Sequence, residues 1–306
     1  MKKNHIILSK SILLFSLLML IYSCGDDYNY TPLAQSIPDN STGIKIIHTA
    51  LGTDNGPLRP GTANANGVNF LVNYFSNNLK ITSTVVGTGS PLSGIGFGST
   101  FPINNYAIIP AGTQDIKVIS PAFTVTTVSP AVTVPEKVRV TETLKTDANT
   151  KYSNFLVGYP TYSNFLIKDD FSVATNASMA YFRFVNTIVN TPVGGYDLVV
   201  QKTYPATSTS PVKTVDLVSI KGIAYLGGQN IFLPIEPNLS TDTGTYVFAL
   251  RLSGATTNVT TLTTLIPRPT RIYTVFARGY NGGLNLITGA SPSTANLPSV
   301  SFYTNR

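Results

Sequence analysis

The sequence predicts an all-β protein with two similar sandwich or barrel domains, and three observations support this. Charged residues make up only 11% of the chain and apolar residues 42%, and the abundance of Thr, Ser, Asn and Gly favours strands and turns over helices. Many short β-prone runs are separated by turn residues, and no long segment has apolar residues at helical spacing. Several short motifs occur twice in the same order, which indicates an internal duplication.

The first 23 residues predict a signal peptide. The first ten residues contain Lys2, Lys3 and Lys10, and an apolar run follows from Ser11 to Tyr22. A helix that spans a bilayer needs about 20 apolar residues, whereas a run of this length suits the apolar region of a signal peptide. Loss of the three lysines would lower the formal net charge from +7 to +4. The remaining basic residues are scattered, which argues against a nucleic-acid-binding face.

Cys24 is the single cysteine of the chain and follows the apolar run directly. The segment Leu20–Ser23 together with Cys24 resembles a bacterial lipobox, in which the cysteine carries a diacylglyceryl group. Two or three acyl chains hold a protein firmly at a membrane. We therefore expect residues 1–23 to be removed, lipid attachment at Cys24, and a lipidated polar tether over residues 24–43.

An acidic pair, Asp26 and Asp27, lies just after the predicted lipidation site. It resembles the export signal that directs some lipoproteins of the Bacteroidota type to the outer cell surface. The alternative is a solvated tether that is acidic without a targeting role. We expect an outer-membrane protein that is lipid-anchored and faces the cell exterior.

The remainder of the chain is predicted to form short strands. The clearest β-prone runs are Val68–Tyr74, Glu136–Thr141, Tyr246–Leu252 and Arg271–Ala277. Each run is bounded by Gly, Pro, Asn or Asp, which are turn residues.

The internal duplication is the most informative feature of these runs. The pattern Y-[ST]-x-F-x-x-G-Y occurs at Tyr152–Tyr159 and again at Tyr273–Tyr280, a spacing of 121 residues. Three further pairs of segments match in the same order: Ile44–Thr49 with Phe182–Thr187, Gly67–Val72 with Gly195–Val200, and Ser93–Phe97 with Lys221–Tyr225. These matches predict one repeat over residues 44–167 and a second over residues 179–306, joined by a short polar segment.

The first repeat carries an insertion over residues 53–66 that is rich in Gly, Pro and Asn and is therefore predicted to be a loop. The corresponding segment of the second repeat, residues 189–194, is shorter. Loops on a rigid scaffold often carry function, so this loop is the predicted contact site. Its candidate contact residues are Asp54, Asn55, Arg59, Asn64 and Asn66.

Sequence motifs that suggest catalysis are better explained as structure. His48 is the only histidine outside the predicted signal peptide, and its counterpart Asn186 predicts a shared hydrogen-bonding role at a strand end. Asp242-Thr243-Gly244 spells the aspartic-protease triplet, but that chemistry needs a second carboxylate and no second triplet exists. Gly94, Gly96 and Gly98 precede no predicted helix that could bind a phosphate. Both glycine motifs are interpreted as turns.

Metal and hydrolytic chemistry are likewise weakly supported. Asp169 and Asp170 could join Asp54 in a Ca²⁺ site, but no ladder of oxygen ligands surrounds them in the sequence. A glycosidase needs only two carboxylates, yet the two repeats share no acidic residue. We expect no catalytic residues, no metal site and no cofactor.

With these segments in hand, the chain resembles the lipoprotein family catalogued as domain of unknown function 4397. The resemblance rests on the strand ends at His48 and Asn186 and on short motifs in each repeat. These motifs are the strands Val68–Tyr74 and Tyr196–Gln201, the turns Gly94–Gly98 and Gly222–Gly227, and the Pro110-Ala111-Gly112 turn. The resemblance implies tandem immunoglobulin-like β-sandwich domains in the bacterial envelope. It implies no activity.

The sequence therefore predicts a non-catalytic envelope lipoprotein that acts as a binding or accessory module for an outer-membrane protein partner. Sandwich edges allow strand pairing with a partner, and no Trp is present to form a sugar-stacking platform. Two alternatives stay open: a surface glycan as the ligand, and a passive structural or assembly role. Tyr159 and Tyr280, which end the repeated motif, could stack on sugars, but core or corner positions in a sandwich also explain them.

Overall fold

The computed structural model describes residues 36–53, 69–81, 94–125, 130–228, 230, 232–238 and 244–306. Residues Gln35–Arg306 form one compact unit. All regular secondary structure in the described residues is β-strand, which confirms the predicted all-β class. The strands of the first half are β1 Ser41–His48, β2 Asn73–Ser76, β3 Leu79–Lys80, β4 Thr100–Phe101, β5 Ala107–Pro110, β6 Gly112–Ser120, β7 Phe123–Val125, β8 Val132–Val134, β9 Lys137–Thr146, β10 Lys151–Val157 and β11 Ser163–Lys168. Those of the second half are β12 Ala180–Asn186, β13 Tyr196–Tyr204, β14 Lys213–Ile223, β15 Leu233–Ile235, β16 Thr245–Leu252, β17 Asn258–Leu262, β18 Ile272–Arg278 and β19 Ser299–Thr304.

The strands of the first half form two main sheets. One sheet has the order β11-β10-β1-β4, with β5 also pairing with β1, and we call it the first inner sheet. The other has the order β3-β2-β6-β9 and is the first outer sheet. Strands β1 and β10 are parallel, whereas the other pairs are antiparallel. A separate two-stranded ribbon joins β7 and β8.

The second half, which has eight strands in the described residues against eleven in the first, repeats the arrangement of an inner and an outer sheet. Its inner sheet has the order β15-β12-β18-β19 and its outer sheet the order β14-β13-β16-β17. Strands β12 and β18 are parallel, as β1 and β10 are. The duplication read from the sequence is therefore matched by the order and direction of the strands. The repeat boundaries at residues 44–167 and 179–306 stay a prediction.

The four sheets are layered, with the two inner sheets facing each other. One apolar cluster lies between the inner and outer sheets of the first half, and a second lies between those of the second half. A third cluster joins the inner sheets, with Ile47 and Phe155 on one side and Val185 and Phe276 on the other. The inner sheets are thus covered on both faces, which explains why their central strands are almost continuously buried.

Strand β1 shows how the sequence produces this layering. Side chains alternate between the two faces of a strand. Ile44 and Ile46 therefore point into the core of the first half, while Ile47 joins the cluster between the inner sheets. All three are fully buried.

Matching residues of the two repeats make matching hydrogen bonds. The hydroxyl of Thr49 donates to the carbonyl of Leu156 at 2.9 Å, and that of Thr187 donates to the carbonyl of Ala277 at 2.7 Å. These pairs extend the correspondence from strand order to individual side chains.

The structure agrees with the predicted turn at residues 110–112 and differs from the predicted strand at residues 68–74. Pro110-Ala111-Gly112 joins β5 to β6, as the turn prediction requires, and Gly112 has a φ of 98°. The predicted strand Val68–Tyr74 is displaced, because β2 begins only at Asn73. Phe70 is held differently, since its amide donates to the Gly52 carbonyl at 3.0 Å. Phe70, Val72 and Tyr74 are buried, but of the described residues of this run only Asn73 and Tyr74 belong to a strand.

None of the described residues belongs to a helix with the length and apolar character needed to cross a bilayer.

Candidate functional site

The residues predicted from sequence to anchor and export the protein lie outside the described residues. These are Cys24, Asp26 and Asp27. The candidate contact residues of the predicted loop also lie outside them: Asp54, Asn55, Arg59, Asn64 and Asn66. Thr53, the first residue of that loop, and the flanking residues Gly52 and Asn69 are described, so the foot of the loop can be located on the fold.

The residues that flank the predicted contact loop are hydrogen-bonded to each other. The amide of Phe70 donates to the Gly52 carbonyl, and the Gly52 amide donates to Oδ1 of Asn69 at 3.1 Å. The Nδ2 of Asn69 in turn donates to Oδ1 of Asn296 at 2.9 Å, which ties the loop foot to the second half. Gly52 and Asn69, which flank the predicted loop, are therefore neighbours in the fold.

A groove opens at this foot. Its volume is about 550 Å³. The residues that line it come from four separated segments: Gly52, Thr53, Lys137, Val138, Arg139, Tyr159, Pro160, Thr161, Tyr162 and Leu286. We call it the loop-foot groove. Two of these side chains are cationic, two are tyrosines and none is acidic.

Arg139 reaches the groove through a β-bulge. Val118 pairs with Val140 and Ile119 pairs with Val138, so Arg139 is the extra residue of β9 at this point. Bulges redirect side chains and often lie at strand edges near binding sites. The Arg139 guanidinium lies 4.1 Å from the centre of the Phe70 ring, and its Nε donates to Ser120 Oγ at 2.8 Å. Its orientation is thereby held by stacking and by a hydrogen bond.

Burial shifts the pKa values of Arg139 and Tyr162, which both line the groove. Burial lowers the pKa of Arg139, and the nearby Tyr162 partly offsets this effect. Burial raises the pKa of Tyr162, and Arg139 partly offsets that shift. At neutral pH the arginine is cationic and the tyrosine is neutral. The groove therefore presents positive charge beside an aromatic hydroxyl.

Tyr159 and Tyr280 occupy structural positions at the edge of this region. Both pack against an apolar cluster formed by Leu51, Leu284 and Leu286. Tyr159 also lines the groove, so one of the two repeated tyrosines is accessible from it. Packing against the apolar cluster thus accounts for both tyrosines. The side chain of Tyr159 in addition faces the groove.

His48 and Asn186 have the shared role expected from the sequence. Both are fully buried at strand ends. Nε2 of His48 is 2.9 Å from the Phe70 carbonyl, and Nδ2 of Asn186 donates to the Ile223 carbonyl at 2.9 Å. Each side chain therefore binds backbone of its own half.

A buried polar cluster between the inner sheets was not anticipated from the sequence. Arg183 of β12 and Asp169 form an ion pair whose side chains are both fully buried. Asp169 also accepts hydrogen bonds from Ser153 and from the Tyr106 hydroxyl, the latter at 2.6 Å. Burial lowers the pKa of Arg183, but the Asp169 carboxylate together with Tyr303 and Tyr106 raises it, and the net pKa lies above its ordinary value. The cluster is closed to solvent and joins the two halves.

The cluster follows the duplication. The Ser153 hydroxyl donates to Asp169 at 2.8 Å, and the equivalent Thr274 hydroxyl donates to Asn305 Oδ1 at 2.7 Å. Asp169 and Asn305 occupy matching places just after β11 and β19. Arg183 contacts both pairs, because it is the ion-pair partner of Asp169 and its Nε donates to the Thr274 hydroxyl at 3.0 Å.

Asp169 is therefore an internal ion-pair partner, which excludes it from the Ca²⁺ site considered above. In the parts of the chain that the structure describes, no group of three or more His, Cys, Asp or Glu side chains could hold a metal ion. The glycine motif at residues 94–98 forms a tight turn, with Gly94 and Gly98 at φ of 96° and 77°. Asp242 and Thr243 lie outside the described residues.

The fold and the groove define a class of protein: tandem β-sandwiches with a cationic, tyrosine-lined groove on the surface. Neither a protein-family model nor a curated protein matches the sequence. The resemblance to the 4397 family is therefore not confirmed.

Similarity was found among solved structures. A protein from Bacteroides fragilis provisionally assigned to cell adhesion has a TM-score of 0.22 and 12% identity, covering 86% of this chain and 97% of that chain. A similarly assigned protein from Parabacteroides distasonis has a TM-score of 0.20 and 9% identity, covering 88% and 99%. The fimbrial anchor protein Mfa2 from Porphyromonas gingivalis has a TM-score of 0.24 and 7% identity, covering 87% and 97%. At these TM-scores the similarities carry no functional argument.

Proposed function

We propose that this protein is a non-catalytic lipoprotein of the cell envelope that binds a protein partner through the loop-foot groove. The observation that carries the proposal is the groove itself. It lies on the surface at the foot of the loop that the sequence predicts to make contact, and it combines cationic and aromatic side chains. Arginine and tyrosine are enriched in protein interfaces.

The chemistry of the described side chains favours binding over catalysis. His48 and Asp169 are fully or nearly fully buried and bind neighbouring groups of the fold. Neither lines the loop-foot groove. A hydrolytic site needs an activated nucleophile or a pair of carboxylates that reach the substrate. The residues that line the groove offer neither.

The proposed location is the outer membrane, with the protein facing the cell exterior and a lipid on Cys24 as its anchor. The lipobox-like segment and the Asp26-Asp27 pair support this location. Replacing Cys24 with Ala should abolish incorporation of radiolabelled palmitate and release the protein from the membrane fraction. Asp26→Asn/Asp27→Asn should keep the palmitate label but reduce digestion by protease added to intact cells. Unchanged labelling of the Cys24 variant would refute the anchor.

The partner can be sought by photocrosslinking in the cells that make the protein. A photoreactive phenylalanine analogue at Thr161, on the exposed rim of the groove, should capture one dominant envelope protein. The same probe at Val193, an exposed residue of the second half, is the matched control and should not capture it. If both probes give the same products, or Thr161 gives none, the groove is not a protein-binding site.

A surface glycan is the second candidate ligand, because Tyr159 and Tyr162 line the groove and aromatic rings stack on sugars. Photoproducts that carry glycan and no protein would favour it. A passive assembly role would instead give crosslinks between copies of this chain.

A further inference from the structure

The loop-foot groove has a charge character that points to the chemistry of its ligand. Lys137 and Arg139 line it, and none of the described residues that line it is acidic. Lys137 is exposed, whereas Arg139 is held against Phe70 and by Ser120. A cation whose orientation is already fixed loses less conformational entropy on binding an anion. The groove therefore favours a ligand that carries negative charge.

One wall of the groove is the edge of a sheet. Among the strands of the described residues, β9 is the last of the first outer sheet and pairs with β6 alone. Near Glu142 the other side is covered, because the Glu142 carboxylate accepts hydrogen bonds at 2.9 Å from the amide and the Nδ2 of Asn164. At the opposite end, Lys137, Val138 and Arg139 face the groove instead.

An edge strand beside a groove suits an extended peptide better than a folded surface. Backbone groups of the edge can bond to an added strand, while neighbouring side chains select the sequence. Three residues of strand span about 10 Å, enough for a contact with three or four peptide residues. Val138, which is 47% exposed, adds an apolar contact between the two cations.

We propose that the loop-foot groove binds an extended acidic peptide segment along the Lys137–Arg139 edge of β9. This inference rests on the proposed binding function and names the chemistry that the groove recognises. The peptide carboxylates pair with Lys137 and Arg139, and Tyr162 contributes its aromatic face and hydroxyl. An acidic glycan would share the negative charge but would not use the strand edge.

The test uses the protein purified from the producing cells in nonionic detergent and fluorescein-labelled hexaglutamate as the probe, followed by fluorescence anisotropy. Hexaglutamate should bind saturably and hexaglutamine should not, and binding should weaken as NaCl is raised. Lys137→Gln/Arg139→Gln should raise Kd at least tenfold. Thr161→Glu, which adds an acidic group at the exposed rim and leaves Arg139 packed, should do the same. Lys213→Gln/Lys221→Gln, which removes two exposed cations from β14, is the matched control and should change Kd less than twofold.

Four results would overturn the inference. One is the absence of saturable hexaglutamate binding. Another is an equal loss of affinity in the β14 control and the groove variants. The third is displacement of the peptide by hexagalacturonate at equal or lower concentration, which would identify an acidic glycan. If Thr161 photocrosslinking captures a partner that Lys137→Gln/Arg139→Gln still binds, the acidic-peptide inference fails while the proposed binding function stands.

Discussion

Replacing Asp169 with Asn should lower the free energy of unfolding by about 3–5 kcal/mol, the usual cost of removing one member of a buried ion pair. The substitution keeps the size of the side chain and one of its two acceptor oxygens. It removes the negative charge that compensates Arg183, whose side chain is fully buried. Solvent cannot reach the guanidinium to replace the lost carboxylate.

Two further variants separate the loss in free energy of unfolding that the uncompensated charge causes from a general disruption of core packing. Asp169→Asn/Arg183→Met removes both charges and should be more stable than Asp169→Asn alone, because no uncompensated ion stays buried. Asp216→Asn breaks the Arg251–Asp216 pair, in which Asp216 is half exposed. That surface change should cost less than about 1 kcal/mol.

The measurement is urea unfolding followed by far-UV circular dichroism and by tyrosine fluorescence, since the chain has 16 Tyr and no Trp. A lower midpoint with an unchanged slope reports a change in stability. The reasoning is refuted if Asp169→Asn costs no more than Asp216→Asn. It is equally refuted if adding Arg183→Met to Asp169→Asn lowers stability further.

Two further predictions concern the repeated glycines and a buried lysine. Gly158→Ala and Gly279→Ala, at φ of 105° and 113°, would each place a Cβ under 3.0 Å from a backbone oxygen, whereas Gly254→Ala at φ 79° meets nothing within 4 Å. Gly158→Ala and Gly279→Ala should therefore lower the melting temperature more than Gly254→Ala, which carries only a backbone strain of about 1–3 kcal/mol. Equal shifts in melting temperature would show that the repeated glycines are not needed for close packing. Burial lowers the pKa of Lys45 from 10.5 to about 8, with Asp169 opposing and Lys151 reinforcing the shift. Because the unfolded chain then holds more protons between these two values, stability should rise from pH 8 to pH 9.5 by about 1.5–2 kcal/mol. Lys45→Met should flatten the rise and leave only the smaller contribution of Lys151, whose pKa burial also lowers; an unchanged slope in this variant would refute the assignment.

The sequence predicted the strands and the duplication well where each strand has a regular pattern. The runs Tyr246–Leu252 and Arg271–Ala277 correspond within one residue to β16 and β18. The run Val68–Tyr74 was equally apolar, yet only its last part is strand. Burial outside a sheet and burial in a sheet select the same residue types, so composition alone does not separate them.

The buried ion pair was missed because its two members lie in segments with different apparent roles. Asp169 belongs to a polar joint between the repeats, while Arg183 lies in a strand. The available signal was the pair Lys45 and Arg183, which occupy the same position of two otherwise apolar strands. A charge in a strand buried on both faces requires a partner, and that requirement predicts that an acidic residue must be near.

The groove could not be predicted because its lining comes from four separate segments that lie between Gly52 and Leu286. The run Glu136–Thr141 alternates regularly in the sequence, so nothing indicated that a bulge would turn Arg139 towards Phe70. The sequence did locate the neighbouring loop, through its composition and its length relative to the second repeat.

The matched positions in the interface between the inner sheets determine which halves can associate. Two second halves placed face to face would bury two Arg183 side chains opposite two Asn305 side chains, with no carboxylate to compensate them. Pairing a first half with a second half supplies Asp169 to Arg183 and avoids that cost. Divergence of the duplicated residues thus discriminates against association of two second halves. The chain satisfies its inner sheets within itself, and its outer sheets, edges and loops are left to meet other molecules.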